Sequence, residues 1–95
     1  MNEQAEFGLP PKIQSPKEDL TYIVRASEKK KTLALQSLSE GDVRELFWFV
    51  NDEFVGRSTP QETTYWEPRP GRFWVRVVDD HGRSDSRFLQ VSVAQ

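Results

Sequence analysis

Arg72-Phe73-Trp74-Val75-Arg76-Val77-Val78, followed by Asp79-Asp80-His81-Gly82-Arg83, is the stretch whose reading decides the fold. Phe73, Val75 and Val77 alternate with Arg72, Trp74, Arg76 and Val78. A period of two sends successive side chains to opposite faces of a strand. The polar run that follows closes a hairpin, in which Gly82 supplies the positive φ that other residues resist. The strand therefore runs up to the turn and its partner returns from it.

Working outward, the same grammar covers the chain. Turn-forming residues recur at Pro10-Pro11, Ser15-Pro16, Lys29-Lys30-Lys31, Glu40-Gly41-Asp42, Asn51-Asp52, Pro60, Pro68 to Gly71 and Asp79 to Gly82. Between them lie short segments rich in Val, Phe, Trp, Tyr and Thr, the composition of strands. The spacing predicts strands over Lys12–Gln14, Leu20–Val24, Thr32–Leu38, Glu45–Val50, Glu53–Arg57, Thr63–Trp66, Arg72–Val78 and Ser86–Val93. Asn51-Asp52 reads as a two-residue type I′ hairpin turn, with Asp where Gly is preferred. No helical period survives between the breakers for more than about two turns.

The expected fold is all-β: an immunoglobulin-like antiparallel β-sandwich of about seven to eight short strands. It occupies residues 11–95, with residues 1–10 as a linker or disordered N-terminal segment. A chain of 95 residues hides roughly 60–65% of its unfolded surface, enough for one modest core. With no cysteine, that core must hold without disulfides or thiolate-bound metal. Trp48, on a face with Leu46 and Val50, is the expected central anchor, and Trp66 is also read as core. The last strand separates Leu89, Val91 and Val93 from Phe88, Gln90 and Ser92.

Sorting the aliphatic sets inward leaves Phe47, Phe49, Trp74, Val78 and Phe88 facing out, with Arg76 among them. In an immunoglobulin-like sandwich these strands are neighbours in one sheet. Soluble monomers seldom leave so large an apolar surface without a use for it. Either a loop, the N-terminal segment or a neighbouring domain covers it, or it is a site of contact with a partner or a second copy, or the faces are assigned the wrong way round. Phe47, Phe49, Trp74, Arg76 and Phe88 are accordingly the candidate binding residues.

Net charge and motifs exclude several functions. At −2 the chain lacks the basic stripe that neutralises phosphates, so nucleic acid is not an expected partner. No stretch approaches the ~20 apolar residues that span a bilayer, so no membrane insertion is expected. Met1 to Leu9 has no apolar signal-peptide core, so a targeting segment of an exported parent would lie outside this chain. Ser27-Glu28-Lys29-Lys30 matches S-x-x-K, the nucleophile motif of β-lactamases and related acyl-serine enzymes. That motif needs a helix to bring Ser and Lys onto one face, and here it falls in a polar turn. Its companions also fail: Lys31-Thr32 precedes Leu33 instead of Gly, and Ser84-Asp85 precedes Ser86 instead of Asn. His81 is the only histidine and lies in a turn, without the partners of a zinc site or a nucleophilic triad. Asp79, Asp80 and Asp85 on one hairpin supply too few oxygens for calcium, which takes six to eight. No catalytic residue, metal site or cofactor is expected.

Ile13-x-Ser15-Pro16, Tyr22, Trp48-Phe49-Val50-Asn51-Asp52, Val55-Gly56, Trp66-x-Pro68-x-Pro70-Gly71, Val75-x-Val77 and Asp79-x-x-Gly82-Arg83-x-Asp85 follow one another in a telling order. In that order and spacing, from about Pro11 onward, the chain resembles the C-terminal domain of bifunctional penicillin-binding protein 1C. Several pieces also resemble the polycystic-kidney-disease type of immunoglobulin-like domain. Asp52 departs from the first family, whose hairpin usually has Gly there. The resemblance implies a periplasmic, inner-membrane-anchored parent that polymerises and cross-links peptidoglycan with domains N-terminal to this one. It implies an accessory immunoglobulin-like module with no catalytic residues, serving protein contact or enzyme positioning. A peptidoglycan-strand binder using Trp74 or Trp66, or a spacer of another surface protein, stands as the alternative.

Overall fold

Alternation carries into three dimensions strand by strand. The computed structural model describes residues 8–18, 20–25, 27 and 32–94. Its strands are β1 (Lys12–Ser15), β2 (Thr21–Arg25), β3 (Leu33–Leu38), β4 (Leu46–Val50), β5 (Glu53–Ser58), β6 (Thr64–Trp66), β7 (Gly71–Asp79) and β8 (Ser84–Ala94). Each expected strand is present, with ends displaced by at most two residues. The lysine run, residues 28–30 of the S-x-x-K match and residues 1–7 of the expected linker lie outside the described residues.

Turn chemistry fixes the hairpins. Asn51 and Asp52 have φ of 48° and 68°, the two positive values of a type I′ turn. Asp52 tolerates the left-handed conformation because its short polar side chain offsets part of the steric cost. Between β7 and β8, Asp79 N–H donates to the Arg83 carbonyl (2.8 Å) and Gly82 N–H to the Asp79 carbonyl (3.1 Å). With Gly82 at φ 84°, this is a three-residue loop closed by a glycine bulge.

Two sheets result, ordered β1-β3-β6 and β2-β8-β7-β4-β5. The expected antiparallel pairing holds for every pair but one: β2 joins β8 in parallel, from Thr21↔Gln90 to Arg25↔Ala94. The first segment of the chain advances along β8 without reversing. Ile13 N–H reaches the Asp85 carboxylate, the Pro16 carbonyl reaches Arg87, and Thr21 then opens the ladder at Gln90. A chain that switches sheets while keeping its direction can meet that strand only in parallel.

The core lies between the sheets. Leu46, Trp48, Val50, Phe73, Val75, Val77, Leu89 and Val91 descend from the larger sheet onto Ile13, Leu33, Leu35 and Trp66 of the smaller one. Trp48 is fully enclosed, and Trp66 meets Phe73 edge-on at 5.0 Å between ring centres. Val93, expected on this inner face, is 40% exposed. The β7 ladder ends at Gly71↔Val91, so β8 has already run past the strand that would bury it. The β4–β5 register shifts between Trp48 and Phe49, leaving Val55 as the extra residue of a bulge. Val55 packs against the core, and Arg57 returns to the outer face opposite Phe47.

Among the described residues two buried side-chain atoms, Trp48 Nε1 and Ser58 Oγ, have no hydrogen-bond partner. An unsatisfied buried group costs about 1–3 kcal/mol. In urea unfolding, Trp48→Ala should therefore lose about 3–5 kcal/mol through its cavity, despite removing one such group. Ser58→Ala should lose nothing and can gain up to about 1 kcal/mol. A large loss on Ser58→Ala would show that its hydroxyl is satisfied.

Candidate functional site

Every core-facing residue of β4, β7 and β8 has a neighbour that faces the other way. On that outer face Trp74 pairs with Phe88, Arg76 with Phe49, and Val78 with Phe47 across the strands. All five expected site residues thus come together on one sheet. Trp74 is 57% and Phe88 42% exposed, Phe47 and Phe49 are half-buried by their neighbours, and Arg76 is exposed. The Trp74 and Phe88 rings meet edge to face at 5.4 Å between centres, inclined by 63°.

Sequence reasoning missed one member. Phe54, 56% exposed, pairs with Phe49, and the two rings stand 5.7 Å apart at 63°. The signal was available, because a two-residue turn at Asn51-Asp52 sets Val50 opposite Glu53 and hence Phe49 opposite Phe54. Ile23 on β2 is exposed too, but it stands opposite Ser92, separate from the aromatics.

Asn51 holds Trp74 in place. Its Oδ1 accepts the Trp74 N–H (2.7 Å), its own N–H donates to the Trp74 carbonyl (2.9 Å), and its Nδ2 donates to the Arg72 carbonyl (3.3 Å). β4 has ended by this point, so one asparagine stands in for the missing strand and fixes the backbone under the most exposed aromatic of this face.

Charge on this face is uneven. Arg57 is paired with Glu45 at 3.3 Å. The side chains of Arg72 and Arg76 make no ion pair or hydrogen bond among the described residues. Two shallow depressions meet at Arg76: one includes Phe47, Phe49 and Val78, the other Asn51, Trp74 and Ser86.

A polar network anchors the end of the same sheet, where the sequence indicated only a polar hairpin turn. Asp79 is buried, and its carboxylate accepts from the N–H groups of His81 and Arg83 (2.9 Å each) and from Arg83 Nε (2.8 Å). Arg83 also reaches Asp42 at 3.0 Å, and a side chain on Gly8, at φ 76°, would collide with its guanidinium. His81, exposed as expected, lies 3.1 Å from the Asp42 carbonyl through Nε2. The other hairpin carboxylates are engaged separately: Asp80 accepts from Arg44 N–H, and Asp85 from Ile13 and Ser86 N–H. Among the described residues no three potential metal ligands converge. Ser84 to Ser86, the remnant of a companion motif, form the start of β8. The carboxylates serve to fix loops.

Hydrogen bonding from Arg83 holds the Asp42 carboxyl below its ordinary range and raises the already high pKa of the guanidinium. Burial raises the Asp80 carboxyl, but backbone N–H donors led by Arg44 outweigh it and bring the group below its usual value.

The penicillin-binding protein C-terminus family matches residues 1–91. No curated protein matches the chain. Among solved structures, the fibronectin(III)-like modules of Clostridium thermocellum CbhA superpose with a TM-score of 0.70 at 17% identity. That match covers 88% of this chain and 98% of the module. At that identity it shows the fold alone.

A carboxyl whose folded pKa is depressed stabilises the fold above its unfolded pKa and ceases to do so as pH falls through the folded one. Asp42→Asn should therefore be less stable than the natural chain at pH 6. The gap should close as acid is added below the ordinary value of 3.8. Urea midpoints of both proteins from pH 6 to 2 test this, and a gap that persists at pH 2 would contradict it. Asp79→Ala removes a buried charge partner and should lose about 3–5 kcal/mol at neutral pH.

Proposed function

The chain belongs to the penicillin-binding protein C-terminus family, and on that premise we propose that it is a non-catalytic accessory domain. Its parent is an extracytoplasmic peptidoglycan synthase, anchored in the inner membrane and facing the periplasm, with transglycosylase and transpeptidase domains elsewhere in the chain. The domain positions that enzyme through contact with protein, either a neighbouring domain or a separate partner.

One observation carries this reading: Trp74, Phe54 and Phe88 stay exposed on a sheet whose other face forms the core. Each large aromatic left in water forgoes the stabilisation that burial would give it. Trp, Phe and Arg around one spot is also the composition of energetic centres at protein interfaces. The polar groups around the patch support the same reading, since each conspicuous carboxylate is engaged in holding a loop. Exposed Trp74 also supports a second reading, stacking on the sugars of peptidoglycan strands.

The test adds the 95-residue chain to a synthase lacking this domain and follows association by calorimetry. Trp74→Ser and Phe54→Ser should weaken binding tenfold or more while changing unfolding free energy by less than about 1 kcal/mol. Saturable binding of soluble glycan fragments that quenches Trp74, with no binding to protein, would replace this reading by the second.

A further inference from the structure

Arg76 lies among the outward aromatics of this face, with Ser86 as its partner on β8, and its position constrains what can cover them. It pairs across the strands with Phe49, whose other neighbour is Phe54. Two residues along β7 on one side is Trp74, beside Phe88; two residues on the other is Val78, beside Phe47. Among the described residues its side chain has no ion pair, hydrogen bond or ring contact. A guanidinium remains charged at any physiological pH, and covering it without an anion incurs a large desolvation penalty. Any partner that seals the aromatics must therefore bring its own carboxylate.

A second copy of the chain does not meet that requirement. It would bring to this face the same unpaired Arg72 and Arg76, with its Glu45 already held by Arg57. A sugar stacked on Trp74 alone would leave Arg76 unanswered. An extended protein segment fits both demands. Its alternate side chains fall about 6.8 Å apart, the spacing of Trp74, Arg76 and Val78 along β7.

Resting on the reading of this face as a protein contact, we propose that it receives an extended acidic segment of pattern apolar-x-acid-x-apolar. The acid forms a charge-assisted pair with Arg76. One apolar side chain seats on Trp74 and Phe88, the other on Val78 and Phe47. The partner is thus an acidic protein segment, recognised by one carboxylate between two apolar anchors.

The test titrates the 95-residue chain with three blocked peptides, Phe-Thr-Glu-Thr-Phe and its central Gln and Lys analogues. Amide shifts of β4, β7 and β8 and Trp fluorescence are the readouts. The Glu peptide should bind about tenfold more tightly than the Gln peptide, and the Lys peptide should not bind. Added salt should erode that preference. Arg76→Gln should abolish the Glu-over-Gln preference, Arg76→Lys should restore part of it, and Trp74→Ser should weaken both peptides; a urea melt of each variant confirms folding. Equal binding of the Glu and Gln peptides would overturn the acidic segment and leave the protein-contact reading intact. Failure of all three at millimolar concentration would also overturn it, and if glycan fragments then shift Trp74, the protein-contact reading falls as well.

Discussion

The pleat of β7 commits each of its side chains to one of two environments, and much of the molecule follows from that commitment. Phe73, Val75 and Val77 go into the core, while Trp74, Arg76 and Val78 go to the opposite surface. A slip of one residue would exchange these sets, burying Arg76 and exposing three core side chains. The register is pinned at two points: Asn51 grips the backbone of Trp74, and buried Asp79 closes the turn into β8 through Arg83. β7 is also central in its sheet, so β4 and β8 inherit its register and their outward residues line up beside its own.

The arginines show how context divides one residue type among different tasks. Arg83 is enclosed by Asp79 and Asp42, with Gly8 packed close, and it ties a hairpin to a loop. Arg57 meets Glu45 at the margin of the aromatic face, an exposed pair that contributes little to stability. Arg69 lies over the Phe73 ring at 5.2 Å. Arg76 stands among aromatics and makes no ion pair among the described residues. The family match supports a place in a cell-wall synthase, while the fold match identifies only the scaffold. The character of this domain therefore rests on what its outer sheet presents.

Much of this was legible because period-two alternation and turn chemistry are local. Eight strands, a type I′ turn at Asn51-Asp52 and a positive φ at Gly82 each depend on residues a few positions apart. The outward aromatics follow from the same alternation, and Phe54 was legible too once the hairpin pairing was followed through. Other features were not. Asp79 reads as a turn aspartate, and only the return of Arg83 and the approach of Asp42 make it a buried ionic anchor. Val93 alternates correctly yet stands exposed, because burial depends on where the neighbouring strand stops.

By itself the sequence determined the all-β class, the strand segments and which side chains share a face, since all three follow from the geometry of an extended backbone. Its motif order determined the family resemblance, and the spread of its charges argued against a nucleic-acid surface. Tertiary structure alone decided that β2 runs parallel to β8, that Asp79 is enclosed, and that, among the described residues, the outward aromatics are exposed and Arg76 has no ion pair. The physical reason is range. Alternation is fixed within a strand, whereas parallel pairing, burial and ion pairing depend on residues distant in sequence, such as Asp42 and Arg83.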